Sequence, residues 1–263
     1  MKLIPTTIDI ASLPTQLQEY ANGANVYNSS CSPFAHVYFI DKDGGYFLKI
    51  AKKDSLHSEA VMMAYFHKKG LSGRVYESIT DATRDYLLTE RIAGFDGTEH
   101  KYLENPEKLC DVFAESLWRL HESDNSDCPK IGIGRTESFL ADVERARMLD
   151  TIDSDLLEYI GLQDKNEAYH LLENQKYLLR DDALIHGDYC LPNILLDDFK
   201  FGGFIDVGLG GIGDRHYDLF WGIWTLLFNL HTDEFKDRFL DCYGRDHIDL
   251  NRLKLCGIIS ALT

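Results

Sequence analysis

The spacing of hydrophobic and polar positions divides the chain into a front portion of short alternating runs and a rear portion of helical period. Residues 25–27 and 35–40 read as strands, and Asp41-Lys42-Asp43-Gly44-Gly45 supplies a hairpin turn into a third strand over 46–51. Ser55 stands where a helix cap belongs, ahead of a helix over 56–69 that stops at Gly70. Runs at 74–77 and 85–90 predict two more strands of one antiparallel sheet. From residue 104 to 121 the positions Leu109, Val112, Phe113, Leu117 and Leu120 recur at helix spacing. Further helices are predicted over 139–149, 155–162, 168–178, 217–230 and 234–243, interrupted by one β-rich island at 184–204. The change of character falls at residues 90–96. The pattern therefore predicts an α+β chain with a β-rich N-terminal domain, 1–91, and a mainly helical C-terminal domain, 92–263.

Composition narrows the function more than the fold. With 263 residues and 44% hydrophobic content, the chain can bury a substantial core. A net charge of −16 argues against nucleic-acid binding, which needs clustered Lys and Arg, and suits a cationic small substrate. Six scattered cysteines without a C-x-x-C pair read as reduced thiols. No charged-then-apolar leader opens the sequence, and its longest strongly apolar stretch, 219–228, is about half of the roughly 20 residues a membrane span requires. A cytoplasmic protein without membrane or nucleic-acid partners, monomeric or homodimeric, is expected.

The candidate chemistry lies in His186-Gly187-Asp188-Tyr189-Cys190-Leu191-Pro192-Asn193 and, thirteen residues beyond Asn193, in Asp206. Phosphoryl transfer needs a carboxylate beside the attacking hydroxyl and oxygen ligands for Mg²⁺ on the phosphates. An H-x-D-x-x-x-x-N loop supplies the first carboxylate and an amide ligand, and an Asp ending a strand supplies the second ligand. Singly, each residue is an ordinary turn former. Their joint spacing, with apolar runs 194–196 and 201–205 between them, points to a kinase.

These motifs resemble the aminoglycoside phosphotransferases, most closely the 3′-phosphotransferase branch. The likeness extends to Cys31-Ser32-Pro33, Phe47-Leu48-Lys49, the stretch from Leu120-His121 to Cys128-Pro129, and Tyr217-Asp218-Leu219. It implies a bilobal protein-kinase-like fold using ATP or GTP with two Mg²⁺ ions. By the same resemblance, Asp188 is the catalytic carboxylate and Asn193 and Asp206 hold metal. Lys49 contacts the phosphates with Glu59 as its ion-pair partner. Ser32 lies over the phosphates, Phe47 stacks on the base, and backbone groups of Thr89 and Arg91 meet its edge. His186 orients the catalytic loop and Asp218 braces it.

Two features complicate this reading. Gly208-Leu209-Gly210-Gly211-Ile212-Gly213 matches G-x-G-x-x-G, with Asp233 twenty residues on. A dinucleotide site would need a parallel strand after the next helix, and the sequence there is again helical. The acceptor positions that are acidic in the family carry Leu191, Phe228, Asn229 and Ala261 here. Asp155 and Glu158 remain as acidic candidates for contact with the acceptor, while Trp221, Trp224 and Phe228 read as core of an apolar helix. The expected function is therefore an aminoglycoside 3′-kinase. The alternatives are a kinase for a less cationic alcohol or sugar, and a non-catalytic nucleotide-binding module.

Overall fold

The computed structural model describes residues 3–263. In chain order its elements are β1 (Ile4–Thr6), α1 (Thr15–Ala21), β2 (Asn25–Asn28), β3 (Ala35–Asp41), β4 (Tyr46–Lys52), α2 (His57–Lys68), β5 (Val75–Thr80), β6 (Arg84–Glu90) and β7 (Phe95–Asp96). They continue with α3 (His100–Leu103), α4 (Pro106–His121), α5 (Arg135–Leu149), α6 (Ser154–Tyr159), α7 (Lys165–Gln175), β8 (Ala183–Ile185), β9 (Ile194–Asp197), β10 (Lys200–Phe204), β11 (Gly211–Gly213), α8 (Arg215–Leu230), α9 (Phe235–Tyr243) and α10 (Leu250–Ala261). Two compact units form. One comprises the chain up to Glu99 with Pro192–Gly208; the other comprises His100–Leu191 with Leu209–Thr263.

In the first unit, six antiparallel strands run in the order β1-β2-β3-β4-β6-β5. Alternation along β4 divides its side chains between two faces. Leu48 and Ile50 pack with Ile40, Tyr86 and Leu88 against Leu13, Leu17 and Ala21 at α1. Ala51, on the Lys49 face, joins Leu87 with Leu56 and Ala60 of the α2 segment. Period-two geometry thus delivers Lys49 to the side where α2 carries Glu59. Ser55 does not cap α2, because its hydroxyl donates to the Lys52 carbonyl. The Leu56 N–H is taken instead by the Asp85 carboxylate, 2.9 Å away and 29 residues along the chain.

The predicted β island divides between two sheets. The hairpin β9–β10 adds to β7 in the first unit, in the order β10-β9-β7. Gly94 lets that pairing close: at φ +102° its backbone comes so near Leu196 that an added Cβ would lie 2.1 Å from the Leu196 carbonyl oxygen. β8 pairs with β11 in the second unit, antiparallel, with Gly211 opposite Ile185. The glycine-rich run therefore ends in a short antiparallel strand, which is not the setting of a dinucleotide fingerprint. Phe228, expected in the core, is 65% exposed near the end of α8. Helix α10, absent from the periodicity reading, packs against α6, α7 and α8. No helix among the described residues is long and apolar enough to cross a membrane.

Candidate active site

Residues 49, 59 and 206 meet in the first unit. Lys49 Nζ lies 2.8 and 3.0 Å from the two Glu59 carboxylate oxygens and 2.7 Å from Asp206 Oδ1. Burial alone would depress the Lys49 ammonium, but the Asp206 and Glu59 carboxylates outweigh it and raise its pKa, so the lysine remains a cation. Glu59 is pushed up by its own burial, which Lys49 opposes. Asp206 follows β10 with φ +55°, a left-handed conformation uncommon outside glycine but tolerated by Asp. Asn193 is 8% exposed, and its carbonyl accepts the Ile205 N–H at 3.0 Å, which ties the positions on either side of the β9–β10 hairpin.

This cluster faces a cavity of about 260 Å³, whose lining includes Ser32, Phe47, Thr89, Asn193 and Asp206 as well as Lys49 and Glu59. Arg91 does not reach it. Its N–H donates to the Gly45 carbonyl at 3.2 Å, and its guanidinium lies over the Phe39 ring. Its sequence neighbours Glu90 and Ile92 line the cavity instead. Sequence reasoning missed them because strand alternation could not be phased where β6 ends. It also missed Ser29, a buried serine on the same wall.

In the second unit, Asp188 sits on a loop built around one buried carboxylate. Asp218, fully buried on α8, accepts the backbone N–H groups of His186 at 2.6 Å and Gly187 at 2.8 Å. Gly187 holds φ +81°, and an added Cβ would stand 2.3 Å from the Leu209 carbonyl oxygen, so the turn requires glycine. The Asp188 N–H points back to His186 Nδ1 at 3.2 Å, leaving its half-buried carboxylate to accept Cys190 Sγ at 3.4 Å. His186 and Asp218 are thus positioning residues of the loop. Behind them, His121 Nε2 lies 3.3 Å from Asp218 and its Nδ1 lies 2.7 Å from the Tyr243 hydroxyl. Burial lowers the His121 pKa against the pull of Asp218. A neutral ring that donates to Asp218 and accepts from Tyr243 satisfies all three groups.

The acceptor candidates separate. Asp155, in the first turn of α6, lines a cavity of about 440 Å³ with Asp153, Trp221 and Ser260. Glu158 is exposed and lies outside that lining. Leu191 and Ala261 are fully buried, and the Asn229 amide donates to the Thr225 carbonyl. Trp224 packs edge-on against Tyr159.

A lysine paired with a helix glutamate, a loop carboxylate and a strand-ending aspartate are the parts of a kinase. Residues 33–256 match the model of the phosphotransferase enzyme family, and the chain belongs to that family. Its place within it is with the aminoglycoside phosphotransferases. It is 48% identical over 250 residues, 95% of each chain, to a probable aminoglycoside 3′-phosphotransferase of Lactococcus lactis subsp. lactis (strain IL1403). It is 31% identical to an aminoglycoside 3′-phosphotransferase of Niallia circulans, over 83% of this chain and 85% of the relative. Among solved structures it is similar to an aminoglycoside-3′-phosphotransferase of type VIII, with a TM-score of 0.72 and 25% identity over 94% and 97% of the two chains. The protein is an enzyme, a kinase of protein-kinase-like α+β fold.

Proposed function

We propose that the chain moves the γ-phosphoryl group of ATP or GTP to the 3′-hydroxyl of an aminoglycoside. The observation that carries this reading is the Lys49–Glu59–Asp206 cluster on the wall of a cavity of about 260 Å³. Nucleotide binding falls to the first compact unit and acceptor binding to the second. Lys49, oriented by Glu59, contacts the phosphates, Ser32 covers them, and Phe47 stacks on the base beside Thr89. Asn193 and Asp206 would hold the two Mg²⁺ ions: an amide and a carboxylate are hard oxygen donors of the kind this ion takes. When bound, the metal would supply positive charge that offsets the charge of the phosphates. Asp188 orients the acceptor hydroxyl and takes its proton. The oxygen attacks the γ-phosphorus in line, the bond to the β-phosphate oxygen breaks, and the nucleoside diphosphate leaves.

One observation favours a second acceptor class. Two positions that are acidic in the family, Leu191 and Ala261, are buried apolar residues, while the cavity that holds Asp153 and Asp155 presents Trp221. Fewer carboxylates and an indole suit a less cationic alcohol or sugar. A coupled assay with ATP and GTP against kanamycin- and neomycin-type compounds, their 3′-deoxy analogues and a panel of neutral alcohols separates the two. Turnover of the aminoglycosides that is lost with the 3′-deoxy compounds is expected. Turnover of another alcohol alone would overturn the aminoglycoside assignment.

Replacing Lys49 with methionine removes the cation aimed at the phosphates and leaves Glu59 without its partner. The expected loss in kcat is about 10²–10³-fold, the scale of deleting one charge-stabilising donor. Steady-state kinetics check it, and a loss below about fivefold would contradict a phosphate contact.

A further inference from the structure

The six cysteines differ sharply in reach. Cys110 and Cys256 are buried, and Cys128 and Cys190 are partly covered. Burial beside Asp188 pushes the Cys190 thiol up, and it donates to that carboxylate. Cys242 is exposed, but burial of its sulfur and a hydrogen bond to Asp111 push it up to about 11. Cys31 is exposed as well, and among the described residues its sulfur donates to the Ser29 carbonyl alone, at a long 3.6 Å. It lines the cavity that holds Lys49, Glu59 and Asp206.

A second, independent feature of that wall points to a ligand. Ser29 is 6% exposed and lines the same cavity, yet its hydroxyl has no hydrogen-bond partner among the described residues. Its backbone is fully engaged, with the N–H donating to the Val37 carbonyl at 2.8 Å. A buried hydroxyl placed in this way offers its hydrogen bond to an occupant of the cavity. Cys31 therefore stands two residues from that hydroxyl, exposed on the lining of the same cavity.

We propose that Cys31 is a modification site: its thiol exchanges with small-molecule disulfides, and the mixed disulfide excludes nucleotide from the adjoining cavity. The proposal rests on the nucleotide reading of that cavity. In the exchange the Cys31 thiolate attacks one sulfur of the incoming disulfide, whose S–S bond breaks. The partner thiolate leaves, and a Cys31–S–S–R bond forms with no other oxidant. An excess of dithiol reverses it.

The test treats the whole protein with one equivalent of dithiobis(nitrobenzoate) and maps the labelled peptide by mass spectrometry, after calorimetry of ATP binding to the unlabelled protein. Cys31 is expected to label ahead of the other five cysteines. ATP at about ten times its Kd should slow that labelling about tenfold, because only the free form reacts. Labelled protein should lose ATP binding and phosphoryl transfer in proportion to the label and regain both with dithiothreitol. Cys31→Ser, whatever rate it starts from, should not be inactivated by the reagent. First labelling at another cysteine, labelling indifferent to ATP, or undiminished ATP binding by labelled protein would each overturn the inference. Absence of both ATP and GTP binding by the unlabelled protein would instead overturn the nucleotide reading, and this inference with it; if GTP alone binds, it takes the place of ATP throughout the test.

Discussion

Asp188→Ala is expected to lower kcat by about 10²–10⁴-fold, the usual contribution of a positioned acid–base group, while leaving nucleotide affinity about unchanged. The loop around it should survive the change. Its shape is set by Asp218 holding the N–H groups of His186 and Gly187, and by Tyr189, whose ring stacks on Phe113 at 4.4 Å and whose hydroxyl donates to the Phe113 carbonyl. None of these contacts uses the Asp188 side chain. Lys49, Asn193 and Asp206 belong to the other compact unit and keep their own partners. Transfer kinetics and calorimetry of nucleotide binding on the same sample provide the check. Equal loss of both would mean that Asp188 acts on the nucleotide and not on the acceptor hydroxyl.

The second large effect concerns stability. Asp214 is 3% exposed and caps α8 by accepting the His216 N–H. Its carboxylate also accepts His216 Nδ1 at 2.8 Å, Arg252 Nε at 2.9 Å and the Arg180 N–H at 2.9 Å. Arg252, 7% exposed, is shared with Asp182 at 2.6 Å. One carboxylate thus joins the start of α8, the approach to β8, and α10. Asp214→Ala leaves the guanidinium buried with a single acceptor, and a loss of about 3–5 kcal/mol is expected. For a chain of this size that lowers Tm by roughly 5–9 °C. A double-mutant cycle with Arg252→Met should recover part of it, since removing both charges costs less than stranding one.

The same residue predicts a pH signature. Burial alone would raise the Asp214 carboxyl, but hydrogen bonds from His216, Arg252 and the Arg180 backbone hold it at about 2, below its ordinary 3.8. A carboxylate depressed on folding contributes stability above its unfolded pKa and loses it as pH falls through the folded value. The contribution, about 2 kcal/mol, is therefore complete above pH 4 and fades between about pH 4 and pH 2. Urea unfolding at pH 6 and pH 3 should show the gap between wild type and Asp214→Asn narrowing at the lower pH. A constant gap would mean that the network does not depend on the charge.

How much of this was legible depended on how local the signal was. Five of the six strands of the first sheet, all but β1, could be read as short β-rich runs set off by turns such as Asp41–Gly45. The order of Asp188, Asn193 and Asp206 could be read because all three lie within one short stretch of chain. Helix α10 could not: residues 255–261 are all buried, so no apolar stripe with helical period stands out, and only Asp249 at its cap marks it. The acceptor side was the least legible. Whether Asp155 or Glu158 enters the cavity beside Trp221 is settled by how α6 is rotated against α8 and α10, and the two acids look alike in sequence.

By itself the sequence determined the α+β class, the kinase constellation and the face of β4 that bears Lys49. Each follows from chemistry carried by neighbouring residues or from a strict period of two. Tertiary structure alone decided that β8 and the β9–β10 hairpin join different sheets. It also gave the Arg91 N–H to Gly45 and the cap of α2 to Asp85, and it left a buried Ser29 hydroxyl on the cavity wall unpaired among the described residues. The reason is physical: periodicity reports that a residue is covered, but the group that covers it comes from a distant part of the chain. Hydrogen-bond partners are assigned only when the backbone closes on itself.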